Sequence, residues 1–281
     1  MNFKLGTQLY GLGKELDTDF SGTIRQLHAI GFECVEPMCV LTSNQMLLPK
    51  NMFSYALLEK LCGELEKYQM SIPSVHVGVG MGRFIKPTGS IIKHLKKLHA
   101  SCGVRNFVFS GMFTDEHGAK KWGKLLREIA AKTRSLNFNI IYHNHDVEHI
   151  KINNGDGEYS LLDCFFQYAG DDILLQLDIG WAAYGDDERK VFEKYADRII
   201  EIHCKDFSEE ILHSGLKRDD IPPEGFVSIG SGAVQTRAIL CGLDALPRFN
   251  GTVLIDQDKS GDSMMDDLQR GYQYLDEIRK I

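Results

Sequence analysis

Hydrophobic positions along the 281-residue chain switch repeatedly between two periods. Short apolar or alternating runs, the mark of buried strands, are each followed by a longer stretch whose apolar residues fall on one helical face. The first pair is a strand over Phe3–Tyr10, closed by Gly11 and Gly13, and a helix over Asp19–Ile30, with Asp17, Thr18 or Asp19 able to cap it and Gly31 to stop it. A second strand over Phe32–Met38 alternates until Glu36 and Pro37 end it; after a loop around residues 43–51 a helix covers about Met52–Gln69. The third and fourth pairs are Ser71–Val79 with Thr88–Ser101, and Val104–Ser110 with Asp115–Ser135. A fifth strand spans Phe138–His145, a sixth Ile173–Ile179 with a helix near Asp187–Tyr195, a seventh Ile199–Cys204, and an eighth Thr252–Asp256 with a closing helix over Asp262–Ile281. Eight strands alternating with helices predict an α/β architecture whose parallel sheet closes into a (β/α)8 TIM barrel, a single domain over residues 1–281.

Composition narrows the picture without changing it. A hydrophobic fraction of 43% and a charged fraction of 25% are those of a globular chain with material for a large core. A formal charge of -7 supplies no overall field for phosphate backbones, and Lys93, Lys96 and Lys97 are spaced as a solvated helix face, so no nucleic-acid partner is expected. The seven cysteines are odd in number, scattered and without a CxxC pair, and read as reduced thiols. No apolar run approaches the roughly 20 residues that span a bilayer. No membrane partner and a cytoplasmic location are the default expectations, with a homodimer the commonest assembly among soluble oligomers.

The strand ends carry the chemistry. Ile140-Ile141-Tyr142 gives way to His143-Asn144-His145-Asp146, and alternation sets both histidines on one face. The other predicted strands stop at Gln8 and Tyr10, Glu36, His76, Ser110, Asp178, His203 with Lys205, and Asp256 with Asp258. In a barrel these ends converge on the C-terminal face, where active sites lie. The long connection from Asp206 to Gly232 exceeds normal loop lengths and reads as a lid or a surface insertion, and Gly230-Ser231-Gly232 is a weak phosphate-cradle candidate.

The segments Tyr142-His143-Asn144-His145-Asp146-Val147-Glu148, Leu177-Asp178-Ile179-Gly180-Trp181, Ile202-His203-Cys204-Lys205-Asp206-Phe207, Ile229-Gly230-Ser231-Gly232 and Ile255-Asp256-Gln257-Asp258 occur in a telling order. Together with Leu5-Gly6-Thr7-Gln8-Leu9-Tyr10 and Gly31-Phe32-Glu33-Cys34-Val35-Glu36, they resemble the motifs of the sugar phosphate isomerase/epimerase proteins of the xylose-isomerase-like TIM-barrel superfamily. That resemblance implies one divalent metal held by a Glu, an Asp, a His and a Glu from four strand ends. Asp178 and His203 match the family's Asp and His. His143 stands where many members have the first Glu, and Asp256 where most have the second. Two imidazoles and two carboxylates suit Mn²⁺, Zn²⁺, Co²⁺ or Fe²⁺ better than Mg²⁺.

The resemblance also implies a reaction, the isomerisation or epimerisation of a sugar or keto-sugar by proton transfer beside a carbonyl through a metal-stabilised enediolate. His143 and Asp256 would inherit the family's acid–base duties, although Asp is shorter than Glu by roughly 1.5 Å. His145 and Lys205 are further catalytic candidates, with Glu148 and Asp258 as supporting partners. Glu36, His76, Trp181 and Lys205 are candidate substrate contacts in a carbohydrate pocket, Trp181 offering an indole face to a sugar ring. Two alternatives stand beside this reading: a lyase of the inosose dehydratase kind, and a carbohydrate-binding homologue whose altered ligands no longer support turnover. An endonuclease would want a basic face that the chain lacks.

Overall fold

A computed structural model describes residues 1–42, 48, 51–80, 85–153 and 157–281. Nine parallel strands form one sheet: β1 (Lys4–Gln8), β2 (Cys34–Glu36), β3 (Met38–Val40), β4 (Val75–Gly78), β5 (Asn106–Phe109), β6 (Asn139–His143), β9 (Ile173–Asp178), β10 (Ile199–Cys204) and β11 (Thr252–Ile255). A separate antiparallel hairpin, β7 (Lys151–Asn153) with β8 (Glu158–Ser160), follows β6. The sheet order begins at β2 and ends at β3, two halves of one extended segment parted only by Pro37. β2 pairs with β1 and β3 with β4, so the second strand position changes neighbours at the proline and closes the sheet into a barrel.

The expectation that Glu36 and Pro37 end this strand is therefore corrected. Pro37 has no N–H to give, but its carbonyl accepts from His76 N at 3.0 Å while that of Glu36 accepts from Leu9 N at 2.9 Å. The proline falls where a strand turning from one partner to the other needs acceptors only. The expected loop at residues 43–51 lies mostly outside the described residues.

Helices follow the strands over the expected segments, and the helix at Leu161–Ala169, after the fifth strand, is one the pattern did not yield. Asp19 accepts from Gly22 N at 2.9 Å to start α2 (Phe20–Ile30), and Ser54 from Leu57 N at 3.2 Å to start α3 (Tyr55–Glu66). The remaining long helices are α4 (Thr88–Cys102), α5 (Glu116–Thr133), α6 (Leu161–Ala169) and α11 (Met264–Arg279). Short helices, α1 (Gly13–Thr18), α7 (Ile179–Gly185), α8 (Glu188–Lys194), α9 (Glu209–Leu212) and α10 (Thr236–Leu240), fill the connections. The main core lies between strands and helices, while Val108, Ile141, Leu174 and Ile200 form a second apolar cluster. Alternation directs Val108, Ile141 and Leu174 inward, on the face shared with Asn106, His143, Gln176 and Asp178, and Ile200 joins them at a bulge where β10 shifts register against β9. No helix among the described residues is long and apolar enough to cross a membrane.

The interior is tight at the start of the barrel. A Cβ on Gly6 would stand 2.5 Å from Cys34 O and Sγ and 2.6 Å from Leu254 Cδ2. Gly6→Ala is expected to cost about 1–3 kcal/mol by overpacking, measured by denaturant unfolding. Gly63→Ala, on exposed α3 with nothing within 4 Å of the new methyl, should instead stabilise by roughly 0.5–1 kcal/mol.

Candidate metal centre

The C-terminal strand ends bring His143, Asp178, His203 and Asp256 together, with one ligand-capable atom from each lying within 4.8 Å of all the others. His143 Nε2 is 3.9 Å from Asp178 Oδ2, and His203 Nδ1 is 3.4 Å from Asp256 Oδ2. All four residues are buried. Asp178 owes its orientation to the helix that follows it: Oδ1 caps α7 by accepting from Trp181 N at 2.8 Å. Its backbone is held by Asn144, whose amide accepts from Asp178 N at 3.0 Å and donates to Asp178 O at 3.1 Å. Asp178 Oδ2 is left buried without a hydrogen-bond partner.

Charge in the site is closely opposed. Burial works against His203 as a cation, but the carboxylates of Glu36 and Asp256 outweigh it and push its pKa up to about 10. Burial raises Asp178 to about 7, Lys205 pulling against it. Asp256 is held well below the carboxylate range because Lys205 and His203 overcome its burial. Burial keeps His143 and His145 well below the usual imidazole value, hence neutral.

The donor set could hold a metal ion. An oxygen is orphaned in a protein interior, and two imidazoles and two carboxylates offer atoms within 4.8 Å of one another, where ligand atoms around such an ion stand roughly 3.4 Å apart. His203 would surrender its extra proton on ligation.

Lys205 is 1% exposed, and its ammonium reaches Asp256 O at 2.8 Å, Asp258 Oδ2 at 2.9 Å and Asp256 Oδ2 at 3.0 Å. Two of these contacts are hydrogen bonds and the third is an ion pair, so the ammonium is held by the protein's own carbonyl and carboxylate oxygens. Glu36, expected among the substrate contacts, is fully buried. Its Oε1 accepts from Ser74 Oγ at 2.8 Å and Gln176 Nε2 at 2.9 Å, and its Oε2 lies 3.1 Å from His203 Nε2. Burial opposes its ionisation, but His203 and His76 hold its carboxyl far below the usual range.

Nearer the rim, His76 Nε2 meets Ser110 Oγ at 2.7 Å, and its ring centroid is 5.0 Å from that of His143. His145 lies beyond the end of β6, partly exposed, with its ring centroid also 5.0 Å from that of His143 and Nδ1 without a partner. Trp181 is 1% exposed among Tyr184, Phe207 and Phe226, with its ring 6.1 Å from that of His145.

Gln176 and Glu201 were not singled out by the strand-end pattern. Gln176 Nε2 also donates to Glu201 Oε2 at 2.9 Å, and Glu201 Oε1 accepts from Asn250 Nδ2 at 2.8 Å. Their signal in the sequence is a polar residue two positions before Asp178 and before His203, interrupting apolar strands on the same face. The long connection is ordered by Asp206, whose carboxylate accepts from the amides of Phe207, Gly230, Gly232 and Val234 at 2.9–3.1 Å. Those amides are already engaged, so the Gly230-Ser231-Gly232 phosphate cradle is corrected to a carboxylate-bound turn.

The sequence matches no protein-family model and no curated protein. Solved structures do resemble it: a sugar phosphate isomerase/epimerase from Parabacteroides distasonis superposes with a TM-score of 0.76 at 19% identity, over 98% of this chain and 94% of its own. The chain has a TIM-barrel fold. A 3-keto-D-glucoside 4-epimerase from E. coli, YcjR, shares this barrel with a TM-score of 0.66 at 16% identity, over 99% of this chain and 100% of its own. The IOLI protein, solved with a zinc atom, matches the barrel with a TM-score of 0.66 at 15% identity, over 98% of this chain and 97% of its own.

Glu148 supports the loop that carries His145. Fully buried, it accepts from Tyr142 Oη at 2.6 Å and from His145 N at 2.8 Å, and burial raises its pKa from 4.5 to about 7. The folded state thus keeps this proton to higher pH than the unfolded chain, so stability falls as pH rises from 4.5 to about 7 and is level above. Glu148→Gln removes that loss: the melting temperature of the variant relative to wild type should climb between about pH 5 and about pH 7, where a structural defect alone would give a constant offset.

Proposed function

We propose that the protein is a metal-dependent isomerase or epimerase of a sugar or keto-sugar, moving a proton on the carbon beside a carbonyl. The observation that carries this reading is the four-residue convergence at the barrel mouth, with Asp178 Oδ2 buried and unpartnered. The sugar isomerase and epimerase activities named for structures of the same fold support the substrate class, and the zinc found in another supports the metal. His143, Asp178, His203 and Asp256 would hold Mn²⁺, Zn²⁺, Co²⁺ or Fe²⁺. Such an ion would supply the positive charge that polarises a carbonyl oxygen and acidifies the neighbouring C–H bond.

The remaining work falls to the side chains. Glu36 orients His203 from beneath, in the manner of a carboxylate behind a ligating imidazole. Lys205, buried and bonded to the Asp256 carbonyl and to Asp258, is assigned to holding these two residues. Asp256 faces Lys205 and His203, which suits a ligand better than a mobile base. His145, neutral and with a buried Nδ1 that no protein group meets, takes and returns the proton. His76 with Ser110 offers hydrogen bonds to substrate hydroxyls, and Trp181 backs His145.

Elemental analysis tests the metal first. Wild type purified without chelator should carry about one equivalent of transition metal, lost in the Asp178→Ala, His203→Ala double variant. Keto-sugars incubated in D₂O should then take up deuterium beside the carbonyl, and His145→Ala should slow this by about 10²–10⁴-fold. Loss of water from a keto-polyol would replace this reading with the lyase. A protein that takes up no Mn²⁺, Zn²⁺ or Co²⁺ would leave only the carbohydrate-binding reading.

A further inference from the structure

Gln176 lies in the layer just beneath the site. It is the register neighbour of His143 across β6 and β9 and of Glu201 across β9 and β10, and it reaches Glu36 from the opposite side of the barrel. Its amide has only one orientation that satisfies these neighbours. Nε2 stands 2.9 Å from Glu36 Oε1 and 2.9 Å from Glu201 Oε2, giving each of its two hydrogens a carboxylate acceptor. Turned over, the amide oxygen would face two carboxylate oxygens, one of which already accepts from Ser74 Oγ at 2.8 Å. Oε1 therefore points at His143, 2.9 Å from Nδ1. A carbonyl oxygen accepts and cannot donate, so Nδ1 carries the hydrogen.

We propose that Gln176 is a positioning residue that fixes His143 as the Nδ1–H tautomer and thereby turns the Nε2 lone pair toward Asp178 Oδ2, 3.9 Å away. The inference rests on reading His143 as a ligand. It explains how an imidazole serves where the resembled proteins carry a glutamate. A carboxylate presents lone pairs from either oxygen, whereas a neutral imidazole ligates only through the nitrogen without a hydrogen. Glu36 and Glu201 lock the amide, the amide locks the ring, and one glutamine thereby links both imidazoles of the site, since Glu36 also faces His203.

The test reads the ring directly. In metal-free wild type, long-range ¹H–¹⁵N correlation spectra should show His143 Nδ1 protonated and Nε2 bare. Gln176→Met, which keeps length but removes the acceptor, should shift His143 toward Nε2–H and weaken Zn²⁺ or Co²⁺ binding by about 10–100-fold. In a His143→Glu background, which has no tautomer to set, the same Gln176→Met change should weaken metal binding by under about 3-fold, a coupling that a packing defect would not produce. If Gln176→Met does not fold, Gln176→Asn retracts the same amide and is read in the same way. A folded variant that retains the Nδ1–H tautomer and wild-type metal affinity overturns the proposal, as does an equal loss in both backgrounds. Should wild type bind no metal while the tautomer still follows residue 176, the positioning role stands and the metal-dependent function falls.

Discussion

Closing a parallel sheet into a barrel forces every second residue of each strand into a space that water cannot fill, and this protein's organisation follows from that constraint. Low in the barrel Asn139 donates to Asn106 at 2.8 Å, and Glu201, whose side chain reaches down from the level of Gln176, accepts from Asn106 at 3.4 Å and from Asn250 at 2.8 Å. Val108, Ile141, Leu174 and Ile200 fill the middle with hydrocarbon. Above them, beside Gln176, the inward positions become His76, His143, Asp178, His203 and Asp256. A buried polar group without a partner costs on the order of 1–3 kcal/mol, so such a concentration persists only where each group has a neighbour or a ligand to meet.

Much of this organisation is written locally. Strands β6, β9, β10 and β11 are apolar runs that end on His143, Asp178, His203 and Asp256, and a change from hydrocarbon to ionisable groups at a strand end needs no neighbour to interpret it. The helix starts at Asp19, Ser54 and Asp115 are equally local, because a cap acts within its own turn. What escaped the one-dimensional pattern depends on partners far along the chain. Pro37 looks like a terminator until its carbonyl is seen to serve β4. Gln176 looks like an isolated polar residue until Glu36, 140 positions away, is found against it. Helices α1 and α7 and the β7–β8 hairpin are too short for periodicity to reveal. Lys205 illustrates the same limit: its place beside His203 was legible, but not that its ammonium would be held between Asp256 and Asp258.

The long connection after β10 shows how a charged side chain can substitute for regular structure. With the Asp206 carboxylate gathering four backbone amides, and Phe207 and Phe226 packed on Trp181, the segment has a framework without long helices or strands. Lys259 adds a tie from the β11 side, donating to Ile221 O at 2.8 Å. The mouth is thus walled by a loop whose inner edge is bound to the same aromatic cluster that supports His145.

Asp178 uses its two oxygens for different ends, one closing the first turn of α7 and the other left to the interior. Any ligand that draws on the second must also reweight the bond made by the first, because the two share one delocalised charge. A ligand at the barrel mouth would therefore bear on the first turn of α7 through this one carboxylate.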